Sequence, residues 1–184
     1  LTTGLADAHL GNMPMVAITG QGGLHRFHKE NFQFIDVVRA FRPITKWNAS
    51  ITTPLIIPEA VRKAFKIAEM ERPGPTHLEL PEDIAKKEIE GQPLKILKVR
   101  RPSADSKAVE QAVDMIKNAR NPLILAGNGC IRTRVSKQLN AFVAERGIPI
   151  VHTQMGKGAI SDKSEYSLFT TGINAKDYFV CGFD

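Results

Sequence analysis

Apolar positions along the chain follow two kinds of spacing. Short apolar runs occur at Met15-Val16-Ala17-Ile18-Thr19, Ile44-Thr45-Lys46-Trp47, Thr76-His77-Leu78-Glu79-Leu80, Leu123-Ile124-Leu125-Ala126 and Ile148-Pro149-Ile150-Val151. Runs this short, bounded by Gly, Pro or polar residues, read as strands. Between them, apolar residues recur at helical spacing. Ile57, Ala60, Val61, Ala64, Phe65 and Ala68 make one continuous stripe, which predicts a helix over 57–70 with Pro58 in its first turn. Phe32, Ile35, Val38 and Arg39 predict a helix within 29–40. Val109, Val113 and Ile116 predict another, capped by Asp105 or Ser106. Val135, Leu139, Phe142 and Val143 predict a helix over 133–146, closed by Gly147.

Strands alternating with helices predict an α/β fold of parallel-sheet, three-layer αβα units. The stretch from 82 to 104 is rich in charge, contains Pro93 and Pro102, and has little periodicity, which is the composition of a linker. We therefore expect a first domain at 1–86, a linker at 87–104 and a second domain at 105–184. In the second domain, strand, helix and strand within about thirty residues make a Rossmann-like βαβ unit with a right-handed crossover.

Composition narrows the function classes. Of 184 residues, 42% are hydrophobic and 24% charged, which excludes a mainly disordered chain. Lys and Arg exceed Asp and Glu by 25 − 19, or +6. The densest basic run, Lys95 to Arg101, contains no aromatic residue and lies beside prolines, so a solvated linker fits better than a nucleic-acid surface. A modest positive field also suits phosphorylated cofactors and carboxylate substrates. No apolar run is long enough to span a membrane. The first residues, Leu1 to Asp7, lack the pattern of a signal peptide and do not begin with Met, so the expectation is a piece of a longer chain. Cys130 and Cys181 have no metal-site spacing and read as reduced thiols of a cytoplasmic protein.

Candidate chemistry is sparse. Gly127-Asn128-Gly129 between a strand and a helix is either a tight turn or a phosphate-binding loop. The dinucleotide fingerprint is incomplete, because Arg132 stands in place of its third glycine and no acidic residue closes the next strand. Met155-Gly156-Lys157-Gly158 follows a strand end, where ligands of open α/β sheets collect, or is simply a loop. His25, His28, Glu30 and Gln33 could bind a metal or move a proton, but their spacing matches no zinc pattern and a polar loop explains them. His9, His77 and His152 read as structural.

An ordered set of segments carries more. Gly4-Leu5-Ala6-Asp7-Ala8, Pro14 to Gln21, Arg42 to Asn48, Arg72-Pro73-Gly74-Pro75 and Leu80-Pro81-Glu82-Asp83 resemble the pyrimidine-binding domain of acetolactate synthases. Asn121-Pro122, Gly127 to Gly129, Gly147-Ile148-Pro149 and Met155 to Gly158 resemble the central domain of the same thiamine-diphosphate enzymes. The resemblance implies a carboligase that decarboxylates pyruvate and transfers the hydroxyethyl unit to a second 2-keto acid, as in branched-chain amino acid biosynthesis or acetoin formation. It implies thiamine diphosphate with Mg2+, a homo-oligomer, and no nucleic acid or membrane partner. It makes Phe32 and Gln33 candidates for the catalytic site, with a core position in its own helix as the alternative for Phe32. Gln21, Arg72, Gly127, Gly129, Met155 and Gly156 become candidates for cofactor binding; Arg72, Gly127, Gly129 and Met155 match positions around FAD in biosynthetic members. No metal ligand falls in the chain. His28-Lys29-Glu30-Asn31-Phe32-Gln33-Phe34 and Glu82 depart from the biosynthetic pattern, which leaves the subfamily and the flavin open. A 2-keto acid decarboxylase and a non-catalytic nucleotide- or partner-binding module are the alternatives.

The resemblance further implies that the family's catalytic glutamate precedes Leu1 and that its magnesium residues belong to a third domain. The chain alone is then expected to be inactive. It is also expected to associate through Met15–Thr19 and Thr76–Leu80 as exposed edges.

Overall fold

The computed structural model of the chain describes residues 1–27, 29, 32, 34–99 and 103–171. The chain forms two units, Leu1–Ser103 and Ala104–Asp184, each with its own sheet.

The first unit runs α1 (Thr2–Leu10), β1 (Met15–Gln21), α2 (Val37–Phe41), β2 (Trp47–Ser50), α3 (Ile57–Glu69), β3 (Pro75–Pro81) and α4 (Glu82–Ala85). Its strands are parallel in the order β1-β3-β2. Successive side chains of a strand point to opposite faces. Val16, Leu78, Leu80 and Trp47 pack with Ala60, Ala64 and Val61 of α3. Ala17 packs with Leu5 of α1 and with Val37 and Phe41 of α2. Helices thus cover both faces, giving the three layers predicted by the alternation.

Three expectations are corrected here. Of the helix expected within 29–40, residues 30, 31 and 33 lie outside the described residues; α2 starts only at Val37, where Asp36 accepts a hydrogen bond from the Arg39 amide at 2.8 Å and caps it. The strand of 44–47 begins only at Trp47. Pro43 sits in a 3₁₀ turn over Arg42–Ile44, and the Thr45 hydroxyl donates to the Phe41 carbonyl at 2.8 Å. Thr76–Leu80 is not an edge: β3 enters between β1 and β2, pairs on both sides and is buried along almost its whole length. Met15–Thr19, by contrast, does lie at an edge of the described sheet, with Met15 and Ile18 exposed.

The second unit runs α5 (Ser106–Asn118), β4 (Ile124–Ala126), α6 (Asn128–Arg132), α7 (Ser136–Arg146), β5 (Ile150–Thr153) and β6 (Ser167–Thr171), with parallel strands in the order β4-β5-β6. Ala126, Val143, Ile150, Ala159 and Ile160 form its core. Gly147 ends α7 in the left-handed conformation, at φ 64°. Here the expected helix over 133–146 begins at Ser136, after the separate short turn of α6. The Asp105 cap of α5 is present, its carboxylate accepting from the Ala108 amide at 3.0 Å. The apolar face of that helix is not buried: Val109, Val113 and Ile116 are all exposed. Spacing and capping are local and set the helix, whereas burial depends on a neighbouring layer.

Candidate functional site

One face of the first sheet is polar. The parallel register sets Thr19 beside Glu79, Asn48 beside His77 and Ser50 beside Glu79. Together with Gln21, these side chains form a polar layer on the face covered by α1 and α2. Gln21, Ser50 and Glu79 lie at the carboxyl ends of their strands, where ligands of open α/β sheets bind.

His77 is fully buried and Glu79 nearly so. His77 Nε2 lies 2.8 Å from Thr19 Oγ1, and its ring meets Phe41 edge-on with centroids 4.8 Å apart. Glu79 accepts from the Gln21 amide at 3.1 Å. Asn48 donates to the Val38 carbonyl and ties β2 to α2. Ser50 Oγ and His77 Nδ1 are buried without a hydrogen-bond partner.

Burial lowers the pKa of His77 below its ordinary value, against a smaller raising effect of the Glu79 carboxylate. The folded protein therefore holds this imidazole neutral, while the unfolded chain protonates it near pH 6.5. Below that pH the unfolded state binds more protons, so stability is full above about pH 6.5 and is lost as pH falls toward the lower folded value. Chemical denaturation at pH 7.5 and pH 5 is expected to give a lower midpoint at pH 5, with the difference reduced in His77→Gln. An undiminished difference in that variant would assign the acid sensitivity to other groups.

The candidate residues of the first unit do not converge. Gln21 ends β1 with its amide fully engaged by the protein. Arg72 is exposed and precedes β3, while Gln21 pairs with Pro81 at the far end of that strand, about 20 Å away along seven residues of strand. Phe32 is 92% exposed, which removes a core position as its explanation. Gln33 lies outside the described residues, as do His28 and Glu30.

In the second unit the candidates do converge. Gly127 follows β4, and Gly156 sits in the turn after β5. A Cβ on Gly156 would stand 2.2 Å from the Ala126 carbonyl oxygen and 3.1 Å from the Gly127 carbonyl carbon. The fold itself therefore demands Gly156. Gly127 has φ −102°, ψ −173°, a conformation open to any residue, and a Cβ on Gly127 or Gly129 would meet nothing within 4 Å. One residue separates β4 from α6, so the tight strand-to-helix turn is present, but it does not require glycine at Gly127 or Gly129, and the space over both is open. Met155, half exposed, lies in the same turn as Gly156.

The loop is braced from below. His152 is fully buried, with Nε2 3.2 Å from Asp162 Oδ1 and Nδ1 3.1 Å from Thr170 Oγ1. Its hydrogen bond, joined by the nearby Lys157 ammonium, holds the Asp162 carboxyl below its ordinary pKa.

Among the described residues no three His, Cys, Asp or Glu side chains come together to hold a metal ion. No helix among them is long and apolar enough to cross a membrane. A cavity of about 470 Å³ lies between the outer face of α3 and residues 91–97, lined mainly by apolar groups such as Val61, Phe65 and Leu94, and lacks convergent catalytic groups.

Sequence reasoning passed over Glu79, Ser50 and Thr19. Their signal was alternation: Thr19 and Gln21, Asn48 and Ser50, and His77 and Glu79 are each two residues apart, a polar stripe on strands whose fold predicts burial of both faces.

Residues 109–180 match the family model described as thiamine pyrophosphate enzyme, central domain. Over 181 residues, 95% of the chain, it is 36% identical to a probable acetolactate synthase large subunit of Methanococcus aeolicus. Over 178 residues, again 95% of the chain, it is 36% identical to the acetolactate synthase large subunit of Corynebacterium glutamicum. The glyoxylate carboligase of Escherichia coli O157:H7 is 33% identical over 175 residues, 94% of the chain. The matched region spans 30%, 28% and 30% of these relatives in turn.

Proposed function

We propose that this chain, which belongs to the thiamine pyrophosphate enzymes of the acetolactate synthase type, contributes part of the active site of a carboligase that joins two 2-keto acids with loss of one carbon dioxide. The observation that carries the reading is Phe32, a large apolar side chain left 92% exposed in the stretch between the carboxyl end of β1 and α2. Burying such a ring contributes about 1.5–3 kcal/mol, and this fold leaves most of that unused. Thiamine diphosphate, when bound, supplies the nucleophilic carbon and the electron sink for decarboxylation. The Phe32 ring shields the reacting carbons from water, and Gln33 hydrogen-bonds the keto acid. The protein acts as a cytoplasmic homo-oligomer.

Two donors compete in this reading, pyruvate and glyoxylate. The 33% identity to a glyoxylate carboligase and the departure at residues 28–34 from the biosynthetic pattern favour keeping glyoxylate. The full-length protein is incubated with thiamine diphosphate, Mg2+ and each acid in turn. A ligated hydroxy-keto or hydroxy-semialdehyde acid from either substrate is expected. Aldehyde without ligated product from both would make the protein a decarboxylase, and no consumption would favour a binding module.

The reading extends to a flavin nucleotide over Gly127 and Gly129 in the second unit. The residues present fit it, because those two glycines leave open space that neither backbone conformation nor packing requires. Net carboligation involves no redox change, so the flavin would brace the site rather than carry electrons.

A further inference from the structure

Between the 3₁₀ turn at Leu24–Arg26 and α2 there is no helix or strand among the described residues. Side chains hold Phe34 and Ile35 there instead. Phe34 meets Phe27 edge-on with centroids 5.3 Å apart, and a Cβ on Gly22 would press to 3.2 Å from the Phe34 ring. The polar anchor is Gln21. Its Nε2 donates one hydrogen to the Ile35 carbonyl at 2.6 Å and the other to Glu79 Oε1 at 3.1 Å, and its Oε1 accepts from the Gly22 amide at 3.0 Å.

These three bonds fix the amide. Turned over, Gln21 would set its oxygen against two acceptors, the Ile35 carbonyl and the Glu79 carboxylate. Glu79 is 2% exposed. A carboxylate taken out of water is costly unless it is paired, and packing alone would be served better by an apolar residue. A buried acceptor in this place is explained by what it does to Gln21.

We propose that Glu79 and Gln21 are positioning residues, a clip that fixes Phe34 and Ile35, just after Phe32 in the chain, against the carboxyl ends of β1 and β3. The inference rests on the reading of Phe32 as a site residue. Glu79 orients Gln21, and Gln21 holds the Ile35 carbonyl. Neither touches substrate.

The test uses the full-length protein. Gln21→Met removes both donors but strands the Glu79 carboxyl, so Gln21→Met is also combined with Glu79→Met, which removes the clip without leaving a buried charge. In the double variant, hydrogen exchange of a peptide spanning residues 28–36 is expected to accelerate by more than about tenfold, while residues 75–81 stay protected. Carboligation kcat is expected to fall about tenfold with KM changed less than about twofold, as for a displaced site. Glu79→Gln keeps an oxygen for Gln21, and its new amide hydrogens face Ser50 across the register; it is expected to restore most of kcat. Parental exchange at 28–36 in the double variant would overturn the proposal, and so would an equal acceleration at 75–81. Exchange decides the clip even in a protein without carboligase activity, so failure of the functional reading is separately visible.

Discussion

Gly156→Ala is expected to destabilise the second unit by about 3 kcal/mol, at the upper end of overpacking costs. The added carbon would stand 2.2 Å from a backbone oxygen of β4, which cannot swing aside as a flexible side chain would. Relief requires separating the turn after β5 from the end of β4. That separation strains two local contacts: the Gly156 amide donates to Thr153 Oγ1 at 3.1 Å, and the Gly156 carbonyl accepts from Ala159 at 3.0 Å. Gly127→Ala, one step past the end of β4, is expected to change stability by less than about 1 kcal/mol, because its backbone and surroundings admit a methyl. The same substitution is expected to reduce flavin retained by the purified full-length protein. Denaturant midpoints and visible flavin absorbance measure the two effects. Equal stabilities for the two variants would contradict the packing argument. A colourless parent protein after incubation with flavin would remove the nucleotide from the account.

Phe32→Ala is expected to lower carboligation by about 100-fold with no loss of stability. The ring makes no core contact to lose, at 92% exposure, so truncation changes stability by less than about 0.5 kcal/mol. Its effect falls on the reacting centre, where loss of a positioning surface costs on the order of 10²-fold. A stability loss comparable to that of a core phenylalanine would return Phe32 to a packing role. Unchanged activity would place the site elsewhere.

The fold was legible where the signal was local. The stripe of Ala60, Ala64 and Ala68 places α3, and Gly147 stops α7 in a conformation that favours glycine. Expectations failed where a nearby competing group decided. Asp36 captured the Arg39 amide and set the start of α2, and Pro43 with Thr45 delayed β2. The topology was not legible: nothing in Thr76–Leu80 tells that β3 inserts between β1 and β2. Among site residues, the glycines of the second unit were visible as motifs. Their different status emerged only from the 2.2 Å approach at Gly156 and the open space at Gly127. Glu79 was hidden because one acidic residue in an apolar run reads as solvent-facing until both neighbouring strands are in place.

The full-length protein is expected to ligate keto acids rather than merely decarboxylate them. The direct measurement is the stoichiometry of the full-length protein supplied with thiamine diphosphate, Mg2+ and the 2-keto acid it consumes. Two molecules of keto acid are expected to be consumed and one of ligated acid formed for each carbon dioxide released. One carbon dioxide and one free aldehyde per keto acid would contradict this expectation.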